Sequence, residues 1–365
     1  MGLQPKNDFY MFFRRSCLRL QDRFCKLMAV NHMPRVFLHG NPHIDNFARI
    51  TKGEAMIDFD RSRMGPYGWD IVRFLSSLSL RREEPSKKFL SNRVLRDFAE
   101  AYLDGFSNPH IRFASPELLK AARPQEWQKS TTDYLKADTG WSKKLRASPL
   151  PPTHAIVANF LKLYAASRRE MSLLTDYRVS QAGLALGSLG KPRVLVVLDP
   201  IRDRKKDKIL LDLKEVYADA DNRNFFNHFV HHGIRMIEAS HLYAPGMEQR
   251  LGYFTWKDRQ FWGRQVPSFK AKIKGNLSDS KQSDLAVSVG LQLGSAHRRS
   301  LRDSSPKEVI RDLKANYDTF IELGATLNEQ LQSAWHYHHR FQVDQTTPKT
   351  LPPKRLLKRI IEPGS

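Results

Sequence analysis

Between Val36 and Asp60 two short apolar runs, Val36-Phe37-Leu38 and Ala55-Met56-Ile57, each stop at a group of polar residues. Runs of this length and composition read as buried strands. Their polar C-terminal ends are expected to lie side by side, because neither apolar run accounts for the residues that follow it. One end supplies His39, Asn41 and Asn46, and the other Asp58 and Asp60. Hard oxygen ligands gathered in this way suit a magnesium ion that also holds phosphates.

The remaining pattern organises around that stretch. Phe9 to Met28 has its apolar residues at helical spacing and reads as one amphipathic helix leading into the first strand. After Asp60 a turn rich in glycine and proline precedes a helix beginning near Trp69 and Asp70. Asp70 is expected to cap that helix or brace the loop before it, and Arg73 to pair with a carboxylate. Further helices are read over Lys87–Ser107 and His154–Glu170, with a proline-punctuated, basic segment between them anchored by Trp127 and Trp141.

Beyond this point the pattern changes to strands. Arg193–Leu198 and Ile209–Glu215 read as strand, basic turn, strand, and Gly252–Ile273 as two more strands of the same sheet. A helix carrying Phe226, Phe229, Ile234, Ile237 and Leu242 lies between them, and helices over Asp284–His297 and Pro306–Phe341 follow. The expected organisation is a catalytic-loop and helical lobe over 1–172, a sheet lobe over 173–275, helices completing the first lobe over 276–343, and a basic tail over 344–365.

The strand-rich part has its own candidate site. Gly187, Ser188 and Gly190 form a turn between two strands, where glycines let backbone approach a nucleotide's phosphates. Lys214, on the next strand but one, can reach phosphate oxygens as a point charge. A carboxylate on the following helix would hold that lysine. Glu238 is the candidate, ahead of Glu215, whose side chain alternates to the opposite strand face. Taken singly, such glycines are more often a hairpin turn and such a lysine a solvated side chain; their joint occurrence favours a nucleotide.

The spacing His39-Gly40-Asn41, then Asn46, then Asp58-Phe59-Asp60 resembles the catalytic loop and metal turn of kinase-fold phosphotransferases. In ordinary kinases the glycine turn and lysine come first, whereas here they come second. The resemblance therefore implies an α+β, bilobed, protein-kinase-like fold that is circularly permuted, with a mainly antiparallel small-lobe sheet and a helical large lobe. Leu285 to His297 is similar to the helix that precedes the corresponding loop in aminoglycoside-phosphotransferase-like enzymes, and its late position suits a permuted chain.

Most of the chain resembles the bacterial family known as domain of unknown function 2252. The similarity is carried by Tyr10–Arg15, Gly40–Ala48, Ile57–Arg61, Gly65–Phe74, Ala185–Gly190, Leu211–Val216 and Arg264–Pro267 in this order. It implies ATP and Mg2+ as cofactors, Asn46, Asp58 and Asp60 as metal-site residues, and Gly187, Ser188, Gly190, Lys214 and Glu238 on the nucleotide. Asn41, His43, Asp45 and His39 would face the reaction. Three departures stand out: Arg15 and Ala185 replace family glycines, and Asn41 replaces the aspartate that orients or deprotonates the acceptor hydroxyl. An amide positions a hydroxyl but takes no proton, so His43 or Asp45 would have to substitute, or catalysis is lost.

Three function classes follow. The first is a phosphotransferase acting on a small-molecule or protein hydroxyl acceptor. The second is a pseudokinase that binds nucleotide as a regulatory module. The third is a nucleic-acid-binding protein, motivated by 60 Lys+Arg against 38 Asp+Glu and a net charge of +22. No run of apolar residues is long enough for a membrane span, no signal-peptide pattern opens the chain, and Cys17 and Cys25 are too far apart on one helix to bridge. A cytoplasmic protein with reduced thiols is expected. The groups His228/His231/His232 and His336/His338/His339 are read as solvated helix faces, since no carboxylate or thiolate joins them.

Overall fold

The computed structural model describes residues 5–83, 88–111, 116–120, 130–137, 139–187, 190–203 and 206–341. Ser188, Trp127, Arg204 and Lys205 of the basic run at 202–206, and the tail at 344–365 lie outside them. In chain order the elements are α1 (Pro5–Arg15), α2 (Cys17–Leu27), β1 (Arg35–Leu38), β2 (Phe47–Ile50), β3 (Gly53–Met56), β4 (Arg63–Pro66), α3 (Gly68–Ser79), α4 (Asn92–Ser107) and α5 (Glu117–Lys120). Then come α6 (Thr131–Lys136), α7 (Gly140–Ala147), β5 (Pro149–Leu150), α8 (Ala155–Arg168), α9 (Ser172–Thr175), β6 (Tyr177–Leu186), β7 (Pro192–Pro200) and β8 (Ile209–Glu215). The chain continues with α10 (His232–Tyr243), β9 (Gln249–Trp256), β10 (Arg259–Val266), β11 (Lys270–Lys272), α11 (Asp279–Ser300) and α12 (Pro306–Phe341). The fold is mixed α+β, and every named strand pairing is antiparallel.

The chain divides into two compact units. The first comprises 1–122, 220–228 and 270–345, and the second 123–219, 229–269 and 346–365. The boundary expected at 172 falls near 122 instead. The reason is that α8 buries Ile156, Val157, Phe160 and Tyr164 in the same core as Leu184, Val194, Leu211 and Leu213 of the sheet, so its apolar stripe belongs with the strands that follow it.

In the first unit α3 is buried along almost its whole length, with Trp69, Ile71, Val72, Phe74 and Leu75 inside. The single helix expected over Phe9–Met28 is interrupted at Ser16 to give α1 and α2. Packing of α4 on α11 depends on three glycines. A Cβ at Gly294 would stand 2.1 Å from the Tyr102 carbonyl oxygen, at Gly105 2.2 Å from that of Leu291, and at Gly290 2.8 Å from that of Phe98. Only glycine lets two helix backbones approach this closely.

The strands of the first unit also differ from expectation. β1 pairs with β4, a segment read as turn, while β2 and β3 form a hairpin to which β11 adds as a third strand. Lys270–Lys272 was expected in the large sheet with β9 and β10. Its register, Lys272 opposite Ala48 and Lys270 opposite Ile50, ties it instead to the hairpin beside the first motif. Phe226, expected in a helix, bridges Met64 through reciprocal backbone hydrogen bonds of 2.9 and 3.1 Å.

The second unit is built on a six-stranded sheet of order β5-β6-β7-β8-β10-β9. Strand alternation sorts its residues onto two faces. Val194, Val196, Leu211, Leu213 and Phe261 pack beneath α8. Leu195, Val197, Leu210 and Val266 form a smaller cluster with Leu145 of α7 and Trp141.

Candidate functional site

In the first unit the polar ends of β1 and β3 do meet, although the two strands belong to different sheets. The link is His39 Nε2, 3.1 Å from the Ile57 carbonyl oxygen. Asn46, just before β2, accepts the Ile57 N–H at 2.6 Å through its backbone oxygen, which extends the hairpin by one pair and sets Asn46 beside the chain entering Asp58.

The loop after β1 is held from below. The Asp70 carboxylate, fully buried at the start of α3, accepts the N–H groups of His39 at 2.7 Å and Gly40 at 3.0 Å. His297 Nε2 lies 3.2 Å from the same carboxylate, and Tyr102 OH lies 2.8 Å from His297 Nδ1. A carboxylate accepts only, so Nε2 carries the proton and Nδ1 accepts from the tyrosine hydroxyl. Burial, with Asp70 and Asp312 adding to it, pushes the Tyr102 phenol well up and keeps it a donor. The glycine-mediated α4–α11 contact is what sets Tyr102 against His297. Asp70 thus braces the loop, and it does so through backbone N–H groups.

Gly40 makes a sharp turn at φ +84°, and its carbonyl accepts from Trp69 Nε1 at 2.8 Å and from Cys17 Sγ and Gln21 Nε2 at 3.3 Å each. Asn41 then presents Oδ1 to Arg73 Nε at 2.9 Å. The carboxylate partner expected for Arg73 is therefore an amide oxygen. Its Nη2 donates to the Phe13 and Arg14 carbonyls at 2.9 and 3.3 Å, and the guanidinium lies 3.7 Å from the centre of the Phe13 ring. Burial lowers the Arg73 pKa to about 10, which still leaves the side chain charged at neutral pH.

His39 and His43 are both buried, and burial lowers the pKa of each, that of His43 well below the usual value with Arg73, Arg14, His39 and Lys272 acting in the same sense. Both imidazoles are neutral at pH 7. Asp45 is engaged elsewhere: one oxygen takes Arg14 Nη1 at 3.1 Å and the other Arg81 Nη1 at 2.8 Å. Both carboxylate oxygens are therefore already engaged by the protein itself.

Asn46 is 1% exposed, and its Oδ1 has no hydrogen-bond partner, while its Nδ2 donates to the Asn41 carbonyl at 3.2 Å. A buried amide oxygen in this state is ordinarily satisfied by water or by a ligand. Asp58 is exposed and adopts φ +64°, a left-handed conformation that aspartate tolerates better than most residues. Asp60 is half-buried one turn further on. Among the described residues no group of three or more His, Cys, Asp or Glu side chains could hold a metal ion. The Asn46 and Asp58 oxygens therefore do not form an all-protein cage.

Lys272 is a residue that sequence reasoning missed. The register of β11 against β2 brings it near Asp58, Asp45 and Arg14; burial lowers its pKa, the aspartates oppose that, and Arg14 reinforces it. Nothing in the local sequence of β11 signals this position, which arises only from the strand pairing.

In the second unit Gly187 and Gly190 close a tight turn, with Gly187 N–H donating to the Lys191 carbonyl at 2.8 Å and Gly190 N–H to that of Gly187 at 3.0 Å. A Cβ added at Gly187 would lie 3.3 Å from both the Lys214 Cε and an Arg193 guanidinium nitrogen. The turn and the lysine, expected together from sequence, are neighbours here, with Arg193 directly opposite Lys214 in the β7–β8 ladder. The expected lysine partner needs correction: Glu238 is exposed on α10 and makes no ion pair with Lys214, because it lies on the outer side of that helix. Glu215 pairs with Lys191 at 2.8 Å and with Arg259.

Arg193, Asp212, Lys214 and Arg264 continue the face of the small apolar cluster, and α7 adds Lys144. Asp212 Oδ2 lies 3.2 Å from Arg193 and 3.5 Å from Arg264, and Trp141 has Lys144 4.8 Å and Arg193 5.2 Å from its ring centre. Desolvation and then Arg193 lower the Lys144 pKa, with Arg264 and Lys214 contributing in the same direction. Such a set places several cationic donors on one face of the sheet. Of the histidine groups, His231 caps α10 from a buried position, His228 packs edge-on against Phe37, and His336 is exposed on α12.

No helix among the described residues is long and apolar enough to cross a membrane. The family described as "Uncharacterized protein conserved in bacteria (DUF2252)" matches residues 6–133 and 152–341. No curated protein and no solved structure matches the chain.

Proposed function

The chain belongs to that bacterial family, and from this premise we propose that it is an ATP- and magnesium-dependent phosphotransferase acting on a hydroxyl acceptor. The observation that carries the reading is the buried, unpartnered Oδ1 of Asn46 on a loop fixed by Asp70, with Asp58 following the adjoining strand. The chain order of the loop and the glycine turn supports a circularly permuted kinase-like fold.

In this reading Asn46 and Asp58 hold the magnesium ion, with Asp60 supporting them, and Lys214 with Arg193 and the Gly187–Gly190 turn takes the nucleotide phosphates. Magnesium held by these residues would supply charge neutralisation in phosphoryl transfer. Asn41, fixed by Arg73, orients the acceptor hydroxyl through its amide. It removes no proton, and the neutral but weakly basic His43 is the acceptor left on the loop. Loss of a strong general base costs on the order of 10²- to 10⁴-fold in rate, so slow transfer is expected.

Calorimetry with ATP in the presence and absence of Mg2+ tests the proposal. Metal-dependent binding that is weakened in Lys214→Met supports it, and folded protein that binds no nucleotide removes it. Asn41 itself favours a second reading, a pseudokinase that holds nucleotide and transfers nothing. Turnover that appears only in Asn41→Asp would select this second reading, whereas turnover by the natural sequence would end it.

A further inference from the structure

We propose that the loop from Asn41 to Asp45, with Arg14, Arg73 and Lys272 around it, is a subsite for an oxyanion, and that the hydroxyl acceptor carries its own phosphate or carboxylate. This rests on the phosphotransferase reading and adds the chemical class of the acceptor.

Three buried nitrogens around this loop have no hydrogen-bond partner in the protein. Arg73 is 1% exposed and its Nη1 has no hydrogen-bond partner; the buried Nε of Arg14 is in the same state, as is Nδ1 of His43, which is 3% exposed. Buried guanidinium nitrogens without acceptors are costly, and native proteins seldom keep them without a ligand or water to satisfy them. All three atoms belong to one neighbourhood, since the charges of Arg73, Arg14 and Lys272 all act on the His43 ring.

Charge gives the sign of the ligand. Arg14, Arg73, Arg81 and Lys272 meet two carboxylates, Asp45 and Asp58. Asp45 is shared by Arg14 and Arg81, which leaves Asp58 as the other carboxylate acting on Lys272. Arg73 is left with an amide at the position where its Nε would otherwise meet a carboxylate, and four cations share two carboxylates around the loop. A phosphate or carboxylate with several acceptor oxygens answers both needs, whereas a neutral or cationic acceptor answers neither.

The test titrates inorganic phosphate into the full chain saturated with Mg2+ and a non-hydrolysable ATP analogue, so that the cations of the second unit are already occupied. Binding at one site is expected, weakened at least tenfold in Lys272→Met and in Arg14→Gln. Asn41→Asp, nearly isosteric and placing a carboxylate on Arg73, is expected to weaken phosphate at least as much while the thermal midpoint is kept or raised. Parallel titrations with glycerate and glycerol 3-phosphate separate a carboxylate source from a phosphate source, and glycerol is the uncharged control.

No phosphate, glycerate or glycerol 3-phosphate binding by protein that binds the nucleotide overturns the inference, as does binding unchanged in both Asn41→Asp and Lys272→Met. If nucleotide binding itself is absent, the phosphotransferase reading falls. The same phosphate titration without nucleotide then still decides whether the oxyanion subsite exists, by its sensitivity to Lys272→Met and Asn41→Asp.

Discussion

Replacing Asp70 by asparagine removes the brace beneath the loop with almost no change in volume. The carboxylate accepts three hydrogen bonds, from His39 N–H at 2.7 Å, Gly40 N–H at 3.0 Å and His297 Nε2 at 3.2 Å, and is 0% exposed. Hydrogen bonds to a charged group contribute roughly 1.5–3 kcal/mol each, and a buried donor left without an acceptor costs about 1–3 kcal/mol. An amide keeps one accepting oxygen, and whichever way it turns its NH2 group faces at least one N–H. Loss of one or two bonds together with that donor clash gives a destabilisation of about 3–5 kcal/mol, a large part of the roughly 5–15 kcal/mol that holds an ordinary domain folded.

Urea unfolding should show the loss as a lower midpoint at an unchanged slope. Native-state hydrogen exchange should show the His39 and Gly40 amides exchanging far faster. Tyr102→Phe, which removes only the distal 2.8 Å bond to His297, should cost about 0.5–1.5 kcal/mol. A loss below about 1 kcal/mol in Asp70→Asn, with both amides as protected as before, would refute the claim that this carboxylate holds the loop.

Gly40→Ala should be more disruptive than its size suggests, because φ is +84° and the new Cβ would stand 2.1 Å from the Arg61 carbonyl oxygen. A thermal midpoint within a degree or two of the natural protein would contradict this. Lys214→Met, at a position 7% exposed, should keep the fold and weaken nucleotide binding by about 10- to 100-fold, the equivalent of one charge-assisted bond, as read by calorimetry. His39 and His43 have folded pKa values below the ordinary 6.5. The unfolded chain therefore takes up protons first, so the stability they contribute is complete above pH 6.5 and falls as the pH drops towards the folded values. Each contributes a slope of up to about 1.4 kcal/mol per pH unit, and His43→Gln should flatten the profile between pH 5 and 6.5 in urea titrations.

The legible parts of the candidate site are those whose chemistry lies in a short segment. The loop from His39 to Asn46 and the pair Asp58 and Asp60 announce themselves because polar residues follow apolar runs directly. The Gly187–Gly190 turn and Lys214 could be paired because strand, turn and strand are consecutive. Arg73 was expected to pair with a carboxylate, and its partners are instead an amide and two carbonyls. Glu238 failed as a lysine anchor because helical spacing places a residue on a helix without saying which side of the helix is buried.

What the sequence determined by itself is the set of short-range elements: strands from alternation and β-branched runs, helices from their apolar stripe, and turns from glycine and proline. These follow from local sterics and burial, which act over a few residues. The tertiary structure alone decided that Lys270–Lys272 joins the early hairpin, that α8 belongs with the sheet, and that Tyr102, His297 and Asp70 line up behind the loop. Those placements depend on pairings between segments about 30 to more than 200 residues apart in the chain. Their energy comes from register and close backbone approach, and no local pattern carries that information.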